Sequence, residues 1–244
     1  LSGGSANFTN VTVSNCALGT STDAAPIMMK GGSWNFSNVI IQDCTAKYGV
    51  WFDAVSGTYD ISSIFTFSGT NSFSWAMYLY AGSANITGLD SLIANYSYHG
   101  INIMYSPTGS LYNMTLDMQG RTGVYGMLAS GNYPSYIGDG FTLSNVTVTN
   151  CGANSYPIRL ASSSGRTANF TNVTVSNCAL GTSADAAPIM MKSGNWNLNN
   201  VTIQNCTAKY GVWFDALSGT YDISNLFTFS GTNSFSWAMY LYAG

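Results

Sequence analysis

The chain has 244 residues, of which 7 are Lys or Arg and 10 are Asp; Glu does not occur, and the formal net charge is −3. Apolar residues make up 46% of the chain and aromatic residues 14%. A composition this poor in basic residues argues against nucleic-acid binding, and one this rich in aromatics argues against disorder. No apolar run approaches the roughly 18 residues that cross a bilayer. Because strand- and turn-forming residues dominate, we expect a β-rich chain with no membrane span in this segment.

A long internal repeat covers most of the chain. Residues 6–82 recur as residues 168–244, at an offset of 162 residues and with ten differences in 77 positions. Residues 83–167 have no second copy. Near-identity of this kind indicates recent duplication. We therefore expect residues 1–244 to form a single solenoid segment of a longer array built from 162-residue units.

A shorter repeat divides the long one into six. The Asn of residues 8–13 (FTNVTV) has a counterpart every 25–32 residues, which gives nine segments. The residues two before and one after this landmark are apolar in every segment, and Thr often stands between apolar positions, as is typical of half-buried strands. A third apolar column comprises Ile27, Val50, Met77, Ile101, Val124, Ile158, Ile189, Val212 and Met239.

Short strands in segments of this length predict a solenoid of stacked parallel strands. Asn suits a sharp left-handed turn, and stacked Asn side chains can hydrogen-bond from coil to coil. On the rungs at 7–16 and 169–178 (NFTNVTVSNC), the chain resembles the right-handed parallel β-helix, or pectin-lyase-like, family. We therefore expect an all-β, right-handed parallel β-helix of about nine coils. The predicted Asn ladder, with side chains pointing inward, comprises Asn10, Asn38, Asn113, Asn145, Asn172, Asn200 and Asn225.

All the cysteines share one column, six residues after the landmark. Adjacent coils would bring them within the Cα spacing of about 4.4–6.8 Å that a disulfide needs, although parallel side chains are a poor starting geometry. The alternatives are small buried thiols that fill the column and disulfides within or between chains. The spacing does not fit a zinc site. The column comprises Cys16, Cys44, Cys151, Cys178 and Cys206.

Sequons of the form N-x-S/T are dense, partly because Asn and Thr are common. Those of the Asn ladder are expected to point inward, where no glycan can be attached. The remaining candidates for glycosylation are Asn7, Asn35, Asn85, Asn95 and Asn169.

Charged residues are sparse and regularly placed. Lys30 and Asp53 fall near one column in adjacent coils, and Lys192 and Asp215 are their copies. We expect such pairs to fix the register of the coils more than they stabilise the fold, because exposed ion pairs contribute about 0–1 kcal/mol.

Several predicted outward positions carry aromatic rings. If Ile64 points inward, Phe65 and Phe67 point outward, and Trp51 and Tyr78 alternate with the third apolar column. Loops could cover these rings, the rings could form a lateral packing surface between rods, or they could form a platform for sugar rings. Apolar stripes of this extent favour lateral packing. The candidate assembly surface comprises Trp51, Phe65, Phe67, Tyr78, Trp213, Phe227, Phe229 and Tyr240.

The unduplicated stretch holds the residues that could support catalysis, of which the weak candidates are Asp90, His99, Asp117 and Arg121. Asp90 and Asp117 would lie roughly 8 Å apart on adjacent coils, a spacing that inverting glycosidases use. However, the tight Asp-Asp and Arg-x-Lys signatures of the polysaccharide-cleaving β-helices are absent, and no nucleophile, metalloprotease or phosphate-loop motif occurs. We expect no enzyme activity, no cofactor and no metal.

The long arrays of adhesin-like and sheath-type surface proteins of archaea and bacteria look similar. The resemblance implies an extracellular structural protein of the cell envelope. Such a protein would assemble with copies of itself into a filament, sheath or surface layer through lateral and end-to-end packing. The alternative is an adhesin stalk or a carbohydrate-binding β-helix with cell-surface glycans as ligands. A polysaccharide lyase or hydrolase is less favoured.

Overall fold

The chain folds into an all-β parallel solenoid of about eight turns, which confirms the predicted fold class. The computed structural model describes residues 5–21, 23–88, 99–130, 136–215 and 226–242. One short helix, α1 (Ile61–Ile64), lies among its strands. The strands are β1 (Ser5–Ser14), β2 (Ile27–Lys30), β3 (Ser33–Gln42), β4 (Thr45–Asp53), β5 (Ser56–Asp60), β6 (Phe65–Ser68), β7 (Ser72–Tyr80), β8 (Ser83–Thr87), β9 (His99–Met104), β10 (Ser110–Asp117), β11 (Tyr125–Leu128), β12 (Thr142–Thr149), β13 (Tyr156–Ala161), β14 (Thr167–Ser176), β15 (Ala179–Gly181), β16 (Ile189–Lys192), β17 (Asn195–Gln204), β18 (Thr207–Asp215), β19 (Phe227–Ser230) and β20 (Ser234–Tyr242).

Three parallel sheets form the walls of the solenoid. The long sheet has ten strands in the order β15-β18-β16-β13-β11-β9-β7-β4-β2, with β20 paired to β18. A seven-stranded sheet has the order β19-β17-β14-β12-β10-β8-β5, and a three-stranded sheet has the order β1-β3-β6. Most coils add one strand to the long sheet and one to the opposite wall.

The core fills the space between these walls with columns of apolar side chains. Val146, Val173 and Val201 are in register on β12, β14 and β17, and all three are fully buried. On the long sheet, Ile158, Ile189 and Val212 are stacked and buried in the same way. Burial of one such side chain contributes about 1.5–3 kcal/mol, so each coil is stabilised chiefly by its two neighbours.

Left-handed residues bend the chain at two places in a coil, one within strand β14 and one directly after it. Asn172 at the landmark has φ 54°, and Asn177, five residues later, also has φ 54°. Because Asn172 interrupts the strand alternation, Phe170 and Val173 both face inward and the Asn172 side chain lies exposed outside. The prediction that the Asn ladder points inward is therefore wrong.

The Asn ladder itself is present on the outer surface. Four ladder residues donate a side-chain amide N–H to the Oδ1 of the Asn one coil earlier, whereas Gly88 stands one coil before Asn113. Asn225 lies outside the described residues. The Nδ2–Oδ1 distances are 2.8 Å for Asn38 to Asn10, 2.9 Å for Asn145 to Asn113, 2.8 Å for Asn172 to Asn145 and 2.8 Å for Asn200 to Asn172.

Phe65 and Phe67 face the interior, so the prediction that they point outward is wrong. The cause is α1, a single helical turn that Asp60 caps by accepting a hydrogen bond from the Ser62 N–H at 3.1 Å. This turn shifts the register by one residue, and Phe65 rather than Ile64 pairs with Val39. Phe65 is 2% exposed, and Phe67 is half-buried against the core. The last coil has the same register, because Phe227 and Phe229 pair with Val201 and Ile203.

Candidate functional site

A groove of about 740 Å³ crosses the outer face of the long sheet, and we name it the aromatic groove. Four successive strands, β2, β4, β7 and β9, contribute its floor. The alternation of side chains along a strand places every second residue of these strands on this face. The lining residues are Asp23, Met28, Lys30, Lys47, Tyr48, Trp51, Asp53, Tyr78, Tyr80, Asn102, Met104 and Tyr105.

The floor of the groove is a packed cluster of three aromatic rings. The Tyr48 and Tyr78 rings stack with centroids 4.5 Å apart, and the Trp51 ring lies 4.8 Å from Tyr78. Trp51 is 7% exposed and Tyr78 is 6% exposed. The prediction that they form an exposed surface is therefore wrong, because neighbouring residues of the same chain cover them. Burial is the main cause that raises the pKa of the Tyr78 hydroxyl, and the nearby Tyr48 is the second. The Tyr78 hydroxyl donates a hydrogen bond to Met104 Sδ at 2.9 Å.

The charges of the groove balance one another. Lys30 Nζ lies 3.8 Å from Asp53 Oδ2, which confirms the predicted pair. The Lys47 ammonium lies 5.2 Å from the centroid of the Tyr48 ring, a cation–π contact. Asp23 is exposed, and the side chains of Asp23 and Asn102 make no hydrogen bond to other described residues. Two Lys and two Asp leave the groove without net charge.

Nine of the twelve lining residues recur one repeat unit later. In this second copy, Tyr210 and Tyr240 stack at 4.5 Å, and Trp213 lies 5.0 Å from Tyr240. Trp213, Tyr240 and Phe227 of the candidate assembly surface are half-buried, and only Phe229 of that set is exposed, at 42%. Lys192 Nζ lies 3.6 Å from Asp215 Oδ2, as predicted.

Of the twelve lining residues, the sequence singled out Trp51 and Tyr78 as surface rings and Lys30 and Asp53 as an ion pair. It did not point to the other eight, which are Asp23, Met28, Lys47, Tyr48, Tyr80, Asn102, Met104 and Tyr105. Tyr105 could have been recognised from the sequence, because it is a large residue in a column of small residues that follows the strands of the long sheet. Its counterparts one, two and three coils earlier are Ala81, Ala54 and Gly31.

The weak catalytic candidates do not converge. His99 lies on the long sheet, in contact with the Trp75 ring at 4.3 Å, and its Nδ1 accepts the Tyr125 N–H at 3.1 Å. Burial lowers the pKa of His99 to about 4, so the ring is neutral at pH 7. Asp117 lies on the seven-stranded sheet, and Asp90 is outside the described residues.

Asp117 and Arg121 belong to a network of corner hydrogen bonds. Asp117 Oδ1 accepts the Gln119 N–H at 2.8 Å and the Asn150 amide at 2.9 Å. Arg121 donates to Gln119 Oε1 at 2.7 Å. These contacts cap a turn, and Asp117, Gln119 and Asn150 line a shallow depression of about 450 Å³ at its edge.

The cysteines, all within the described ranges, are free thiols. Cys44, Cys151, Cys178 and Cys206 are buried, and Cys16 is partly covered. Contact with the Cys151 thiol raises the pKa of Cys178, and contact with Cys178 and burial raise the pKa of Cys206. Among the two alternatives for this column, the geometry corresponds to buried thiols.

Of the candidate glycosylation sites, four make polar side-chain contacts with a neighbouring coil. Asn35 Nδ2 donates to Asn7 Oδ1 at 2.9 Å, and Asn169 Nδ2 lies 3.5 Å from Thr142 Oγ1. Asn85 Oδ1 accepts the Ser110 hydroxyl at 2.6 Å. Asn95 lies outside the described residues. Glycosylation itself stays a prediction.

Within the described residues, no three His, Cys or Asp side chains are placed to hold a metal ion. Within the same ranges, no helix has the length and apolar character needed to span a membrane. No family model matches the chain, and neither a curated protein nor a solved structure matches it. The geometry of the groove and of the solenoid therefore carries the functional argument.

Proposed function

We propose that the chain is part of a non-enzymatic structural protein of the cell surface, a rigid rod that lengthens by duplication of its six-coil unit. The observation that carries this proposal is the junction between the unduplicated stretch and the second copy. Strand β12 pairs with β14, and β13 pairs with β16, without a change of register. The sheets and the Asn ladder cross the junction unbroken, so units of this kind can be joined without limit.

Specific polar contacts also join the coils at the junction. The Tyr156 hydroxyl donates to Asp185 Oδ2 at 2.9 Å, and Arg159 Nη1 lies 3.5 Å from the same oxygen. Arg159 also lies over the Tyr156 ring, 5.1 Å from its centroid. Asp23, the counterpart of Asp185 in the first copy, has no such partner among the described residues. These contacts support end-to-end continuity of the units.

Lateral assembly receives less support. The rings expected to form a side surface face the core or are covered by their own chain, with Phe229 of the last coil as the exposed exception. The extracellular location rests on the resemblance to adhesin-like and sheath-type arrays and on the density of sequons. We therefore place the weight of the proposal on axial extension, as a stalk or filament element.

Electron microscopy of chains with increasing numbers of 162-residue units tests the rod. We expect each added unit to lengthen the particle by about 29 Å, six coils at about 4.8 Å, without an increase in width. Bent or globular particles would refute it. Antibody labelling of intact cells tests the location: signal only after lysis would exclude a surface role.

A further inference from the structure

We propose that the stacked thiols of Cys151, Cys178 and Cys206 bind Cu(I) in a two-coordinate site, with the ion between two successive sulfur atoms. The inference goes beyond the structural role and does not rest on it, since a rod needs no metal. The cysteine spacing argues against zinc, which takes four ligands. Cu(I) is the ion that soft sulfur ligands select, and a linear site for it needs only two of them.

Backbone hydrogen bonds hold the three cysteines in register. The Ala179 N–H donates to Cys151 O at 2.8 Å, and the Thr207 N–H donates to Cys178 O at 2.8 Å. Residues stacked in register on neighbouring parallel strands lie about 4.7–4.9 Å apart. Because Cys151 and Cys206 are two coils apart, one ion can contact Cys178 and one of its neighbours but not all three.

The side chains of this column point the same way. Cys178 and Cys206 donate their thiol S–H to the carbonyl two residues earlier, Ser176 O at 3.1 Å and Gln204 O at 3.3 Å. Parallel side chains keep their sulfur atoms at the spacing of the backbone. Two metal–thiolate bonds of about 2.3 Å in line span about 4.6 Å, which matches this spacing. A disulfide would instead require the two sulfurs to approach by about 2.7 Å.

The thiol protons can be replaced without leaving a carbonyl unpaired. Ser176 O also accepts the Asn150 N–H at 3.1 Å and the Thr149 hydroxyl at 3.1 Å. Gln204 O also accepts the Asn177 N–H at 2.9 Å. Both carbonyls therefore stay hydrogen-bonded when a thiol loses its S–H bond, which is what a buried acceptor requires.

Binding exchanges one proton for one Cu(I). The S–H bond of one thiol breaks, its proton passes to solvent, and its sulfur forms a bond to the ion. The neighbouring thiol donates a lone pair from its sulfur, and neither copper nor sulfur changes its oxidation state. One positive charge replaces another, so the column stays uncharged. This matters because Cys178 is 1% exposed and Cys206 is fully buried, where an unpaired charge is costly.

A route from solvent ends at the first thiol of the stack. The shallow depression of about 450 Å³ beside Asp117 is also lined by Cys151 and Asn177. Cys151 is 2% exposed, so its thiol lies directly beneath the floor of this depression. The Asp117 carboxylate at the entrance attracts a cation.

Other ions fit less well. Zn(II) takes four ligands, and within the described parts of the chain no three His, Cys or Asp side chains are placed around one point. Ca²⁺ and Mg²⁺ take at least six oxygen ligands, whereas this column offers sulfur. A soft ion with two ligands in line meets both conditions.

The test is anaerobic titration of the full chain with Cu(I) in competition with a chromogenic Cu(I) chelator. It uses a Cys16→Ser background, because Cys16 and Cys44 form a second, shorter stack. We expect one tightly bound ion and the release of one proton. Cys178→Ser leaves no two adjacent thiols and should weaken binding by about a hundredfold or more, whereas Cys206→Ser keeps the Cys151–Cys178 pair and should stay within about threefold of the background chain.

Each variant is the matched control of the other, since both remove one thiol from the same column. Thermal unfolding without metal identifies a loss of folding, and Cys178→Ala repeats the comparison without a buried hydroxyl if Cys178→Ser does not fold. Copper K-edge absorption of the loaded chain should show two sulfur neighbours. The proposal is overturned if Cu(I) binds no more tightly than to the Cys178 variants, if the Cys178 and Cys206 variants lose the same affinity, if three or more sulfurs surround the ion, or if Zn(II) binds as tightly as Cu(I).

Discussion

Asn172 donates its side-chain amide to Asn145 Oδ1 at 2.8 Å, and both residues hold the left-handed backbone conformation, with φ 54° and 53°. The pair joins the unduplicated stretch to the second copy. One residue type thus meets two needs of a coil corner, because Asn tolerates positive φ and its amide reaches the next coil.

Asn145→Ala should lower the free energy of unfolding by about 2 kcal/mol, since it removes hydrogen bonds to Asn113 and Asn172 and leaves a Cβ at positive φ. Asn145→Gly removes the same hydrogen bonds, but Gly adopts the left-handed backbone conformation without strain. Its loss in free energy of unfolding should therefore be smaller than that of Asn145→Ala by about 1 kcal/mol. Urea unfolding of both variants measures the difference. Equal losses for Ala and Gly would show that the backbone conformation contributes nothing.

Phe8 and Phe170 are counterparts 162 residues apart, but Phe8 is 37% exposed and Phe170 is fully buried. Phe170→Ala should lower the free energy of unfolding by about 3–5 kcal/mol, because it opens a cavity between Leu143 and Leu198. Phe8→Ala should cost about 1 kcal/mol or less. Denaturant unfolding of the two variants gives the comparison, and similar losses at both sites would contradict the burial difference.

The stability of the protein should depend on pH through His99. Burial lowers the pKa of this ring to about 4, below the value of about 6.5 for an unfolded His. The unfolded chain therefore takes up the proton first, so this contribution is full above pH 6.5 and is lost as the pH falls toward 4. The denaturation midpoint should fall less over this interval in His99→Gln. An identical pH profile for variant and parent would remove His99 as the cause.

Asp185→Asn should destabilise the chain by about 1 kcal/mol, because it weakens charge-assisted contacts with Tyr156 and Arg159. Asp23→Asn makes the same change without such partners and should have almost no effect. Thermal unfolding of both variants checks the contrast. A larger effect at Asp23 would mean that the junction contacts contribute nothing to stability.

Thiol reactivity should follow burial. In the native chain at pH 8, an aromatic disulfide reagent should react with Cys16 first and with the other four thiols only after denaturant is added. These four thiols are buried. In addition, burial or contact with a neighbouring thiol raises the pKa of Cys44, Cys178 and Cys206, which lowers the fraction of reactive thiolate. Fewer than five thiols in the denatured, unreduced chain would indicate a disulfide.

The sequence alone was sufficient to predict the parallel solenoid, because the apolar columns, the landmark spacing and the stacking of coils follow from one periodic pattern. Val11, Val39 and Val146 lie where the pattern puts them. Local departures from the pattern were not predictable. The helical turn α1 moves Phe65 into the column expected for Ile64, and turn residues before β11 put Met127 where Val124 was expected.

The candidate site was predicted only in part. Trp51 and Tyr78 were correctly placed beside the inward column, but their burial depends on packing between coils that alternation does not reveal. Alternation also failed at the Asn ladder, because a left-handed residue reverses the side on which the next side chain lies. Tyr105 stands at a corner that is left-handed in the three earlier coils as well, and it differs from Gly31, Ala54 and Ala81 there by its large side chain.

The recurrence of nine groove residues on the same sheet, about 29 Å further along the rod, has a consequence for avidity. If a long partner molecule bound along this face, contact at one groove would keep its next segment at high local concentration beside the following one. Its overall affinity would then grow with the number of units, even if each groove alone bound weakly. Gene duplication in such a rod would then change the overall binding affinity as well as the length.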